Sequence, residues 1–182
     1  MSERYEMRFT GSGGQGVILA SVIIAEAAIL AGMNTVQSQA YGPEARGGMC
    51  KAETVISSQP IWFSKVQSPN MLLALTQKSL DKYSSNLADN AVVIIDSSLI
   101  IPASIEGRKV IAMPILDTAT KTVGKAMTAN IVAVGAINQI LGLFDNDLLF
   151  EAVKRHVPAG TEELNEKALF CGVELANKMI QE

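Results

Sequence analysis

Residues 5–16, Tyr-Glu-Met-Arg-Phe-Thr-Gly-Ser-Gly-Gly-Gln-Gly, set a strand-like run against a glycine-rich turn, and an apolar helix-like run begins directly after it. That order of strand, glycines and helix confines the chain to architectures built from βα units. Gly11, Gly13 and Gly16 take the G-x-G-x-x-G spacing that opens such a unit. Glycines there allow a tight turn and bring backbone N–H groups and a helix N-terminus close to an anionic ligand. The spacing marks a place where something can bind, and the rest of the chain has to say what.

Residues 17–31 are apolar nearly all round, which predicts a helix buried on most sides, with Gly32 as its stop. Residues 34–40 read as a second strand and residues 49–57, alternating at Cys50, Ala52, Thr54 and Ile56, as a third. Residues 71–75 form a short apolar run, and residues 77–87 have helical periodicity through Leu80, Tyr83 and Leu87. Buried strands follow at 91–95, ending at Asp96, and at 109–113, ending at Pro114. The remainder is helical at 118–123, 129–142, 145–153 and 162–179, with Thr161 suited to cap the last helix ahead of two acids. Strand–helix alternation over the first two thirds predicts an α/β fold. We expect one Rossmann-like three-layer domain over residues 1–182, with a mostly parallel sheet and a helical C-terminal third.

Composition narrows the function. Hydrophobic residues make up 48% of the 182 and charged residues 18%, a balance that fits a large core, a face covered by another subunit, or both. A net charge of −3 without a Lys/Arg cluster argues against nucleic acid. The uncharged stretch 17–25 stops at Glu26, too short to span a bilayer, and the first six residues are polar and acidic, unlike a signal peptide. The expected location is the cytoplasm. Cys50 and Cys171 stand alone and far apart, as reduced core or interface residues, and two thiols cannot supply an ordinary iron–sulfur cluster. The single His156 lacks a neighbouring ligand and reads as a surface residue.

Three segments could carry chemistry. The first is the glycine loop, Gly11, Ser12, Gly13, Gly14, Gln15 and Gly16. As a dinucleotide site it lacks the acid that should hold the ribose about 20 residues later. Residues 34–39 are Asn-Thr-Val-Gln-Ser-Gln, where Gln37 or Gln39 offers a weak substitute. The second is Tyr41, Gly42, Pro43, Glu44, Ala45, Arg46, Gly47 and Gly48, which follows strand two and should meet the first loop at the carboxyl edge of the sheet. Arg46 suits a carboxylate or phosphate through paired hydrogen bonds, unless Glu44 and Arg46 simply pair with each other. The third is Ala126-Met127-Thr128-Ala129-Asn130, where Asn130 fits a hydrogen-bonding role in a first helical turn. Asp96 at a strand end is equally a turn cap. The chain has no Ser/His/Asp set, no nucleophile elbow and no P-loop, so it supplies part of a site that other chains complete.

These three segments, in this order, resemble the gamma subunit of 2-oxoacid:ferredoxin oxidoreductases, and the similarity extends through Glu163-Leu164-Asn165 and Lys167-Ala168. The resemblance implies a multi-subunit enzyme that oxidatively decarboxylates a 2-oxoacid and passes the acyl group to coenzyme A. It implies alpha and beta chains holding thiamine diphosphate and Mg2+, iron–sulfur clusters outside this chain, a ferredoxin-like delta chain, and ferredoxin as acceptor. It implies no catalytic residue here. The residues expected near coenzyme A or a partner are Gly11, Ser12, Gly13, Gly14, Gln15, Gly16, Tyr41, Gly42, Pro43, Glu44, Arg46, Gly47 and Asn130. Ala45 stands where pyruvate-type enzymes commonly have a second Arg, which favours the 2-oxoglutarate type. Two other readings compete: a stand-alone NAD(P)-binding oxidoreductase, and an oligomerisation domain whose glycines only permit close packing.

Overall fold

A computed structural model describes residues 4–41 and 48–181, Tyr41 by its backbone alone. Among the described residues six strands form one sheet: β1 (Arg4–Ser12), β2 (Asn34–Tyr41), β3 (Met49–Ser57), β4 (Met71–Ala74), β5 (Val92–Asp96) and β6 (Lys109–Met113). Their spatial order is β2-β3-β1-β4-β5-β6. The pairings β1–β4, β4–β5 and β5–β6 are parallel, while β3 runs against both its neighbours. Five strands therefore share one direction and β3 alone opposes them, so the sheet is mostly parallel as expected.

The helix α1 (Val17–Leu30) crosses one face of the sheet. On the same side α4 (Ala129–Leu141) and α5 (Asn146–His156) cover it from above, α6 (Glu162–Gln181) packs on α4, and the shared core includes Phe9, Ile23, Ile24, Leu73, Ile131 and Leu169. This explains a helix that is apolar nearly all round: sheet lies beneath it and helices lie over it. The other face carries the short α2 (Gln77–Tyr83) over a smaller core of Leu72, Leu80, Val93 and Ile95. Strands buried on both faces need apolar side chains at successive positions, and Met71, Leu72, Leu73 and Ala74 are all fully buried.

The α4–α6 crossing is unusually close. A Cβ on Gly135 would lie 2.1 Å from the Leu169 carbonyl oxygen, and one on Gly172 would lie 2.0 Å from that of Val132. Only glycine fits at either position.

The structure revises two local expectations and refines a third. The helix begun at Gln77 ends at Tyr83 rather than Leu87, because the chain turns through Asn86 at φ 60° and Arg8 donates to the Tyr83 carbonyl at 3.3 Å. The segment 118–123 is helical over the expected residues but wound as a π-helix, continuing from a single α turn, α3 (Ile115–Asp117). His156 is half-buried, its Nε2 3.9 Å from Glu26 Oε2, so it is less exposed than its isolation in sequence implied.

Candidate functional site at the carboxyl edge

Ser12, Tyr41, Ala74, Asp96 and Met113 end their strands at one edge of the sheet, and the reversed β3 begins there at Met49. Ligands of open α/β sheets bind outside such an edge. The glycine loop occupies its centre. β1 runs on through Gly11 and Ser12, two residues past its expected end, because β3 continues to pair with it: Gly11 faces Cys50 and Ser12 faces Met49.

The two glycine-rich segments meet. Gly13 N–H donates to Gly48 O at 2.9 Å, which joins the first loop to the end of the β2–β3 connection. Tyr41 pairs with the same Cys50 that pairs with Gly11, from the other side of β3. Gly42, Pro43, Glu44, Arg46 and Gly47 lie outside the described residues. Burial raises the Cys50 thiol above its ordinary value, so it rests as an un-ionised core residue under the loops.

Within the first loop the side chain of Gln15 turns inward. Its Oε1 accepts the Ser12 N–H at 2.8 Å and its Nε2 reaches the Leu75 carbonyl at 3.5 Å, just past β4. Gly16 adopts the left-handed conformation at φ 71° and starts α1, whose first turn has no acidic residue and, among the described residues, no side-chain cap. Its N–H groups and positive dipole end therefore face the edge with no side chain among the described residues capping them. Gly14, at φ 92°, has no described atom within 4 Å of the point where a Cβ would stand, and it forms the open tip.

Asn130 is brought to the loop, though in a different role from the one its position implied. It is only 3% exposed and donates through Nδ2 to Gly16 O at 3.4 Å instead of serving its own helix. Gln37 is likewise committed, donating to Ser21 Oγ at 3.0 Å over α1. Asp96 accepts from Ser98 N–H at 3.0 Å and Leu116 N–H at 2.8 Å, which makes it a brace between β5 and α3. Thr161 donates its hydroxyl to Pro158 O and accepts from Asn165 Nδ2, a local turn contact.

Sequence reasoning missed the apolar rim. Ile100 and Met127 are 77% and 72% exposed, and Ile101 is also exposed. Ile100 sits at the carboxyl edge because its backbone exchanges hydrogen bonds with the Gln77 side chain at 2.8 and 3.0 Å, at the start of α2. Met127 stands three residues before Asn130. Single exposed apolar residues carry no signal in sequence.

The dinucleotide alternative loses its geometry as well as its acid. The strand beside β1 on the α1 crossover side is β3, running the wrong way, so β2 is one strand too far out to hold a ribose beside the glycine loop.

A family model described as pyruvate ferredoxin/flavodoxin oxidoreductase matches residues 6–175. The 2-oxoglutarate synthase subunit KorC of Methanothermobacter thermautotrophicus is 41% identical over 179 residues, covering 94% of this chain and 95% of that one. Among solved structures, the keto/oxoacid ferredoxin oxidoreductase gamma subunit of Geobacter sulfurreducens is 44% identical with a TM-score of 0.87, covering 97% and 98% of the two chains. The fold recurs, at 18% identity and a TM-score of 0.87, in a 2-oxoglutarate:ferredoxin oxidoreductase chain from Magnetococcus marinus, of which this chain spans 32%.

Proposed function

Because the chain belongs to the pyruvate ferredoxin/flavodoxin oxidoreductase family, as a subunit of the gamma kind, we propose that it completes a cytoplasmic 2-oxoglutarate:ferredoxin oxidoreductase. The observation that carries this reading is 41% identity to a 2-oxoglutarate synthase subunit along nearly the whole of both chains. The assembled enzyme performs coenzyme A-dependent oxidative decarboxylation, releasing CO2 and passing electrons to ferredoxin. Thiamine diphosphate and Mg2+ belong to alpha and beta chains, and the iron–sulfur clusters lie outside this chain, some of them on a ferredoxin-like delta chain. Among the described residues no three His, Cys, Asp or Glu side chains gather as a metal-holding group.

This chain contributes one wall of the coenzyme A site. The open Gly14 tip and the uncapped start of α1 suit an anionic part of coenzyme A, and Arg46 is the cation assigned to the second loop. The exposed Ile100, Ile101 and Met127 offer apolar surface to a partner subunit at that edge.

Co-expression with the alpha, beta and delta chains tests the assignment. The expected result is co-purification of all four and ferredoxin reduction that requires both 2-oxoglutarate and coenzyme A and exceeds that with pyruvate. Full activity without this chain, or its purification as a monomer from cells making all four, would refute it. Arg46→Ala should raise the KM for coenzyme A or impair assembly; with both unchanged, Arg46 leaves the site.

A further inference from the structure

Resting on the reading of the glycine loop as a wall of the coenzyme A site, we propose that Gln15 and Asn130 are positioning residues: two carboxamide struts that shape the loop from within, Gln15 acting on the ligand only through Gly14 and Asn130 through the start of α1. What each glycine makes room for points this way. A Cβ on Gly11 would fall 2.6 Å from Gln15 Oε1, and one on Gly16 would fall 2.5 Å from Asn130 Nδ2. Two of the three glycines in the G-x-G-x-x-G pattern are therefore small because an internal side chain lies against them. Gly14, outside the pattern, has no described atom within 4 Å of the point where a Cβ would stand.

The struts decide which backbone donors remain. Gln15 Oε1 takes the Ser12 N–H, and Gly48 O takes the Gly13 N–H. Both N–H groups are therefore used within the chain. Outward contact falls to the tip at Gly14 and the first turn of α1. The struts also anchor the loop on two flanks. Gln15 ties it to the end of β4 through Leu75, and Asn130 ties Gly16 to the start of α4.

Charge supports the assignment of Gln15. A glutamate would accept the Ser12 N–H more strongly and be favoured by the α1 dipole, against one unfavourable approach to the Leu75 carbonyl. A neutral carboxamide instead leaves the loop free of negative charge beneath the tip, as an anionic ligand requires.

The test uses the assembled four-chain enzyme with coenzyme A as the varied substrate. Gly14→Asp and Gly14→Asn compare a charged and a neutral side chain of one size at a left-handed position that both tolerate. Gln15→Ala and Asn130→Ala are measured alone, and Gln15→Ala also in the Gly14→Asp background. We expect Gly14→Asp to raise the KM for coenzyme A about tenfold over Gly14→Asn, by charge repulsion at the tip. Gln15→Ala should raise it about fivefold, the scale of one net hydrogen bond, with a smaller change in kcat and in the KM for 2-oxoglutarate. If the strut acts through the tip, its effect should largely vanish in the Gly14→Asp background. Full additivity there would mean direct ligand contact and would overturn the proposal. A raised KM in Gly14→Asp with none in Gln15→Ala would also overturn it, leaving the coenzyme A reading intact. Equal KM values in Gly14→Asp and Gly14→Asn would instead remove the coenzyme A reading and the struts with it. Should Asn130→Ala fail to assemble, the Gln15 arm decides alone.

Discussion

Gly172→Ala adds one methyl group where α6 crosses α4 most closely. Its Cβ would lie 2.0 Å from the Val132 carbonyl oxygen and 2.9 Å from the Ala136 nitrogen, where ordinary contact begins at 3.4 Å. The obstacle is backbone inside a helix, so no rotamer change relieves it and α6 must move off α4 by about 1 Å. A gap of that size forfeits roughly a quarter to a half of the dispersion energy of each separated atom pair. The surfaces pulled apart include Val132, Ala133, Ala136, Ala168 and Leu169, all buried. Overpacking of this kind costs about 1–3 kcal/mol or more, and the better helix propensity of alanine offsets about 1 kcal/mol. We take the upper end, a net loss of about 2–3 kcal/mol, because backbone cannot yield as a side chain does. For a chain of this size that is a fall in Tm of about 5–12 °C, read by circular dichroism on the purified chain. Gly135→Ala, aimed at the Leu169 carbonyl from the opposite helix, should cost a similar amount. The double variant should cost less than the sum, since one methyl group already forces the helices apart. A Tm unchanged or raised in Gly172→Ala would refute the close crossing.

Three further outcomes are expected. Gly16→Ala places a Cβ against Asn130 at φ 71° and should cost about 2 kcal/mol in urea unfolding, part of it recovered by adding Asn130→Ala. Arg8→Met removes the guanidinium 2.8 Å from the buried Glu53, leaving that carboxylate Lys51 at 3.0 Å as its one cation among the described residues, and should destabilise by about 3 kcal/mol. Replacing Arg8 and Glu53 together by apolar residues should recover most of that loss by the same assay. Burial raises the Cys50 thiol in the folded chain, so its stabilising share is complete below the unfolded thiol value of about 8.5 and declines above it, as the unfolded chain ionises first. The stability difference between the native chain and Cys50→Ala should therefore shrink as urea midpoints are followed from pH 7 to pH 10, and a constant difference would contradict it.

Periodicity and turn chemistry made much of the fold legible. The strands at 49–57 and 109–113 lie where alternation and apolar runs placed them, and Val17 opens α1 directly after the glycines. Sheet order was not legible, since no local pattern says that β3 inserts between β1 and β2. That insertion is what lengthens β1 through Gly11 and brings Gly48 to Gly13. Of the candidate site residues, the sequence singled out Gln15 and Asn130 but not the direction they face. Gln15 bonds three residues back, and Asn130 bonds a residue 114 positions earlier, a contact that only the packing of α4 on α1 creates. The end of α2 was missed for a similar reason: Arg8, on a distant strand, takes the carbonyls of Tyr83 and Ser85.

The position of α1 between the sheet and the later helices has a consequence for synthesis on the ribosome. β1, α1, β2 and β3 are complete once residue 57 has emerged, and the β2–β3 hairpin, closing between Tyr41 and Cys50, is local enough to form early. Those strands shelter one side of α1. The other side waits for Asn130 against Gly16 and for Arg155, which pairs with Glu26 at 2.9 Å. At ordinary elongation rates the wait is on the order of ten seconds, during which a helix apolar but for Ser21 and Glu26 stands half covered. The nascent chain is thus most dependent on chaperones between its third strand and its fifth helix, well before any partner subunit can reach it.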